Sequence, residues 1–196
     1  DLENGMVCYN PVDSHELIKY KKEYQIQDKL KICCVGRLED QKGFDRLIKI
    51  LGKLRLKNYV VDIYGTGTMK DDMIRKYGLE EYVHLKGFHK NIYEAMSNYH
   101  LLISPSRAEG FSLVVAEAMC MGIPVLSTDC AGPNELTDYG KYGILVENSD
   151  EALENAIQNI FEKKEALYKY HKLSEERSNI FKIENVMKEV EGNIYE

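Results

Sequence analysis

No stretch of the 196 residues approaches the roughly 20 consecutive apolar positions of a membrane-spanning helix. The best candidate, 113–126, is interrupted by Glu117 and Pro124, so no transmembrane segment is read. The chain opens Asp-Leu-Glu-Asn-Gly, with neither the basic start nor the apolar run of a signal peptide. That opening also lacks Met, and a fragment of something longer is expected. An excess of positive charge is missing as well. With 26 Lys and Arg against 32 Asp and Glu, the net charge of −6 excludes a general nucleic-acid binder. Any phosphate site must therefore be local and work against the overall field.

Paired cysteine motifs are also absent. The five cysteines include no CxxC; Cys33 and Cys34 are adjacent and point to opposite faces of any strand, while Cys8, Cys120 and Cys130 stand alone. Reduced, structural thiols in a cytoplasmic protein are expected. The histidines (His15, His84, His89, His100 and His171) have no metal-ligand spacing and are taken as structural or exposed. Ser104-Pro105-Ser106 lacks the G-x-S-x-G elbow of a hydrolase serine. There is no internal repeat and no low-complexity tract. The composition, 44% hydrophobic and 30% charged with 4 Pro, is that of a soluble globular chain long enough for one domain with a real core.

What is present is an alternation. Short apolar runs at Leu30–Val35, Tyr59–Tyr64, Val83–Lys86, Leu101–Ser104, Pro124–Ser127 and Gly143–Val146 are separated by amphipathic segments. In 45–57, for example, Leu47, Ile48, Leu51 and Leu54 fall at helical spacing. Strand and helix in turn predict an α/β, Rossmann-like fold: a parallel six-stranded sheet with helices on both faces. Ligands of such sheets bind beyond the carboxyl ends of the strands. Glycine collects in those loops: Gly36-Arg37-Leu38, Gly65-Thr66-Gly67, Gly87-Phe88 and Asp129–Gly132. Residues 1–28 are read as a linker, 29–180 as the domain, and 181–196 as a terminal helix bearing Ile183, Val186, Met187 and Val190.

Two stretches carry chemistry. In "EGFSLVVAE", 109–117, Gly110 and Ser112 predict a helix starting near 112, with Glu109 in the loop before it. The amides of Phe111, Ser112 and Leu113 then lie at a helix N-terminus, a ready anion site. Glu117 would stand about 7 Å further along the axis. Vicinal hydroxyls suit an ionised carboxylate, so two acids flanking a phosphate fit a ligand hydroxylated at both ends, a nucleotide sugar. In "VGRLEDQKG", 35–43, Arg37 and Lys42 can reach the strand-end cleft and offset a diphosphate. Taken singly each feature has a plainer reading: Glu109 as a surface acid, Glu117 paired with a helix-edge lysine, Arg37 and Lys42 as solvated loop charges. "IYGTG", 63–67, is not GxGxxG and supports a dinucleotide fold only weakly.

In their order along the chain, "NPVD" (10–13), "VGRLEDQKGFDRLI" (35–48), "IYGTG" (63–67), "VHLKGF" (83–88), "ISPSRAEGFSLVVAEAMCMGIPVLSTDCAGPNEL" (103–136) and "GILVEN" (143–148) resemble one known pattern. It is the C-terminal, donor-binding half of family-four retaining glycosyltransferases (glycosyl transferases group 1), which have the GT-B fold. The resemblance implies that Arg37 and Lys42 hold the donor diphosphate and stabilise the leaving nucleotide. Glu109 would contact the transferred sugar, with Arg37, Lys42 and Glu109 forming the catalytic set. It implies that Glu117 holds the ribose diol. Phe111, Ser112 and Leu113, with Gly110, would lie near sugar and phosphate. Gly36, Gly65, Gly67, Lys86, Gly87 and Phe88 would lie near the nucleotide. It further implies a nucleotide-diphosphate sugar as substrate, UDP-sugar favoured, with no cofactor and no required metal. The expected product is a surface polysaccharide or glycolipid. An N-terminal domain of the same chain, bearing the acceptor site and any membrane association, would be missing, and these residues alone would be inactive. A nucleotide-sugar epimerase of the same fold and a non-catalytic nucleotide-sugar-binding module are the alternatives.

Overall fold

The computed structural model describes residues 9–194. Its strands are β1 (Leu30–Val35), β2 (Tyr59–Tyr64), β3 (Val83–Gly87), β4 (Leu101–Ser104), β5 (Val125–Thr128) and β6 (Ile144–Val146). They form one sheet in the order β3-β2-β1-β4-β5-β6, with every pairing parallel. The predicted six-stranded Rossmann-like sheet is thus observed. Every residue of β4 and β5 is buried, as parallel strands covered on both faces require.

Helices cover both faces. They run α1 (Ser14–Ile18), α2 (Phe44–Leu54), α3 (Asp72–Lys76), α4 (Ile92–Met96), α5 (Leu113–Cys120), α6 (Ala131–Leu136), α7 (Asp150–Glu162), α8 (Ala166–Arg177) and α9 (Ile183–Ile194). On one face Leu47, Ile48 and Leu51 of α2 and Leu153 and Ile157 of α7 pack on Ile32, Cys34, Val61 and Ile63. On the other, Val115, Ala116 and Met119 of α5 pack on Cys33, Leu102 and Val125. Cys33 and Cys34 therefore serve opposite cores, as their adjacency demands. The described cysteines are all free and buried, and burial pushes the Cys120 thiol up to about 12. Cys8 lies outside the described residues.

Several boundaries differ from the sequence reading, most by a residue or two. Helix α2 stops at Leu54 rather than 57, because four residues must return the chain into β2. Arg55 and Asn58 turn it there with φ of 47° and 60°. Within the stretch read as a linker, Val12 bridges to Lys182, and Val12 and Leu17 are buried beside α5 and Phe181. In α9, Val186 is buried while Ile183 and Met187 are exposed.

The strand order reverses between β1 and β4. The loops after β1 and β4 therefore diverge at the carboxyl edge of the sheet and leave a crevice where these folds take ligands.

Candidate functional site

The loop after β1 lies on one wall of that crevice. The Gly36 amide donates to the Tyr64 carbonyl at 2.9 Å, which keeps β1 and β2 together past their last residues. Gly65 crosses so close that a Cβ there would sit 1.8 Å from the Gly36 oxygen, and its φ is +141°. Gly67 bridges to Leu38. These glycines thus have a packing reason to be small, whatever lies above them. Beyond them a 3-10 turn, Asp40–Lys42, sends the Lys42 chain back over Gly36, with its Cε 3.1 Å from where a Cβ on Gly36 would stand. Arg37 is exposed and makes no ion pair among the described residues.

The opposite wall is the loop between β4 and α5. Lys42 Nζ donates to Glu109 Oε2 at 2.5 Å, and both side chains are mostly buried, 17% and 11% exposed. The Ser106 hydroxyl donates to the same Glu109 oxygen at 3.2 Å. The loop is anchored on three sides. The Arg107 guanidinium grips the Asp45 carboxylate through two bonds of 2.6 and 2.7 Å. The Arg107 amide donates to the Gln41 carbonyl at 2.8 Å, and Gln41 Nε2 donates to the Ala108 carbonyl at 3.0 Å. Asn148 Nδ2, from the loop after β6, donates to the Arg107 carbonyl at 2.8 Å. Helix α6 also presses in: a Cβ on Gly132 would lie 1.6 Å from the Gly110 oxygen.

Helix α5 follows with Ser112 as its N-cap, as predicted, but the cap is unusual. The Ser112 hydroxyl bonds no first-turn amide and is buried without a partner among the described residues. The helix-start amides are therefore not taken up by their own cap, and the anion-binding character of the helix end is retained. Phe111 is half-buried with its ring 6.5 Å from that of Tyr9, and Leu113 is half-exposed.

Glu117 lies one turn further in, half-buried. Among the described residues it pairs with no lysine; the Tyr93 hydroxyl of α4 donates to Glu117 Oε1 at 2.9 Å. Burial pushes the Glu117 carboxyl above the usual carboxylate range, and the Tyr93 hydrogen bond pulls it partly back. Next to Tyr93, Ile92 closes a cleft of about 280 Å³ whose other walls are Val35–Arg37, Tyr64–Thr66 and Phe88–His89. Phe88 is 78% exposed at its mouth, carried there by Gly87, whose φ is +69°. Lys86 is exposed on β3 and does not line the cleft. A larger cavity, about 640 Å³, lies at the amino ends of β1 and β4, away from these residues.

Lys42, Glu109 and the start of α5 are thus in one place. Arg37, Gly36, Gly65 and Phe88 ring the adjoining cleft, with Glu117 tied to its edge through α4. Sequence reasoning missed Ser106, Arg107, Asp45 and Tyr93. Arg107 sits within the quoted motif, but its partner is 62 residues away, and nothing local marks Tyr93 as a partner of Glu117.

Comparison with known proteins bears on this arrangement. The family model described as Glycosyl transferases group 1 matches residues 18–178. A 4-alpha-N-acetylgalactosaminyltransferase of Campylobacter jejuni, acting by its name on a diphospho-undecaprenol substrate, is 33% identical over 150 residues, covering 74% of this chain and 40% of its own length. The GtfA subunit of a UDP-N-acetylglucosamine–peptide N-acetylglucosaminyltransferase from Streptococcus gordonii is 30% identical over 160 residues, covering 79% and 31%. The chain thus spans well under half the length of these two relatives. Among solved structures, Anabaena HepE in complex with UDP superposes with a TM-score of 0.85 at 22% identity, over 100% of this chain and 58% of that one. The C-terminal domain of a group 1 glycosyl transferase, LpcC, from Francisella tularensis does so with a TM-score of 0.74 at 22% identity, over 88% of this chain and 99% of that one.

Proposed function

The chain belongs to the glycosyl transferases group 1 family, and from that premise we propose that it is the donor-binding part of a retaining glycosyltransferase using a nucleoside-diphosphate sugar. The observation that carries this reading is the convergence of Lys42, Glu109 and the uncapped start of α5 at the strand-end crevice. A cation, a helix N-terminus and a carboxylate in one mostly buried place fit a diphosphate bonded to a hydroxylated ring.

In this reading the diphosphate lies between Lys42, Arg37 and the amides of Phe111, Ser112 and Leu113. Fixed positive charge there stabilises the diphosphate as it leaves, which matters most in the transition state. Glu109 accepts hydrogen bonds from the hydroxyls of the transferred sugar and Glu117 from those of the ribose diol. The base enters the cleft beside Phe88, His89 and Ile92. Attack from the face of the departing nucleotide accounts for retention without a covalent intermediate on Glu109. UDP is favoured as the nucleotide, supported by the UDP in the HepE complex and the UDP-sugar in the name of the Streptococcus relative. The acceptor belongs to surface polysaccharide or glycolipid synthesis, which the undecaprenol-linked substrate in the Campylobacter name supports.

Calorimetric titration tests this. Losing one charge-assisted bond to phosphate is worth about 1.5–3 kcal/mol, about tenfold or more in affinity. Lys42→Ala and Arg37→Ala should each weaken UDP by that much and leave uridine unchanged. Because side chains supply the positive charge, excess EDTA should not alter UDP affinity. Unchanged UDP affinity in Lys42→Ala would remove the assignment.

A further inference from the structure

The Lys42 ammonium is held by the Glu109 carboxylate at 2.5 Å, and both groups are largely out of water. Ser106, itself 1% exposed, donates to the same carboxylate oxygen and holds it in place. Resting on the functional reading above, we propose that the Lys42–Glu109 pair discriminates between the sugar-bearing donor and the spent nucleoside diphosphate, so that it promotes product release.

The argument is electrostatic. A diphosphate that engages Lys42 must share that cation with Glu109. If the diphosphate ends in a free phosphate, two anions face one ammonium where little water screens them, and the like charges repel. If it carries a sugar, the group nearest Glu109 is a neutral ring with hydroxyl donors. The carboxylate then exchanges part of its bond to Lys42 for hydrogen bonds to the ring, and the cation turns to the phosphates. The same carboxylate thus strengthens the donor complex and weakens the product complex. Discrimination of this kind uses a repulsive element against the wrong ligand as well as an attractive one for the right ligand.

The experiment is calorimetric titration of the protein with UDP and with whichever of UDP-glucose and UDP-N-acetylglucosamine it binds more tightly. In Glu109→Gln, affinity for UDP should rise by about threefold to tenfold and affinity for the UDP-sugar should fall by a similar factor. Glu109→Ala must move the two ligands in the same opposite directions. In a Lys42→Met background, Glu109→Gln should raise UDP affinity by a smaller factor, because the competition for the shared cation is gone and only the repulsion between carboxylate and phosphate is left to relieve. A fall in affinity for both ligands, or a gain in UDP affinity undiminished in the Lys42→Met background, overturns the inference and leaves the functional reading standing. Failure of the wild type to bind either ligand overturns the functional reading, and this inference with it.

Discussion

A carboxylate on a half-buried helix face, with one tyrosine hydroxyl for company, is disfavoured in its charged form by the lost water. Glu117 is in that position: its carboxyl is raised by burial above the ordinary 4.5, and Tyr93 restores only part of the difference. A raised carboxyl in the folded chain binds protons that the unfolded chain has released. The penalty is therefore absent below pH 4.5, grows as the pH rises through the raised value and is fully present above it. Glu117→Gln keeps the shape and an acceptor for Tyr93, so its melting temperature at pH 7 should exceed that of the wild type. That advantage should shrink as the pH is lowered toward 4.5. At a scale of about 2–4 °C per kcal/mol for a chain of this size, calorimetry resolves it. The same variant should bind UDP about tenfold more weakly, with a far smaller loss for 2′,3′-dideoxy-UDP, because only the natural ribose offers the diol. Equal losses for both ligands would show that Glu117 does not hold the ribose.

At the scale of elements, the loop between β4 and α5 is held by parts that do not touch the proposed ligand. Arg107 and Asp45 lock it to the first turn of α2, and Gly132 lets α6 pack directly on its backbone. The Asp45 carboxyl is held below its usual 3.8, first by its hydrogen bonds to Arg107, with burial working against them. A depressed carboxyl stabilises the fold above its unfolded value and loses that contribution only as the pH falls through the folded value. The Arg107 side chain is 43% exposed and that of Asp45 30%, so solvent screening limits the pair to about 0.2–1 kcal/mol. Asp45→Asn should therefore lower the melting temperature by up to about 4 °C at neutral pH. The deficit should persist down to pH 3.8 and close only below it. Because Glu109 rides on this loop, UDP-sugar affinity should fall more than UDP affinity. A melting deficit that does not change with pH would mean that the clamp is not electrostatic.

For the molecule as a whole, both faces of the sheet are covered, and the strand-end crevice is open at the carboxyl edge. Transfer needs an acceptor hydroxyl held against the anomeric carbon, and such positioning is worth up to about 7–11 kcal/mol. In the proposed reading the residues of the crevice all serve the donor, and the relatives compared extend well beyond the length matched here. Residues 1–196 should therefore bind UDP yet transfer sugar at less than about one hundredth of the rate of a protein that also contains the acceptor-binding part. The assay uses one donor and one acceptor extract for both proteins. Comparable turnover would place the acceptor site on these residues after all.

Some of this was legible in the chain itself. Apolar runs such as LLIS and PVLS, set between helical periodicities, determine six parallel strands and put the glycine-rich loops at one edge. Local sterics and the burial of one helix face act over a few residues, so sequence spacing records them. The same spacing singled out Lys42, Glu109 and Glu117 as chemically unusual. What they touch was decided only by the tertiary structure. Lys42 meets Glu109 across 67 residues, Arg107 meets Asp45 across 62, and Tyr93 meets Glu117 across 24. The early ending of α2 and the packing of Val12 and Leu17 under α5 belong to that class too. Such pairings depend on strand order, register and the lengths of the crossovers, which bring distant loops to one edge, and no local pattern of residues encodes those distances.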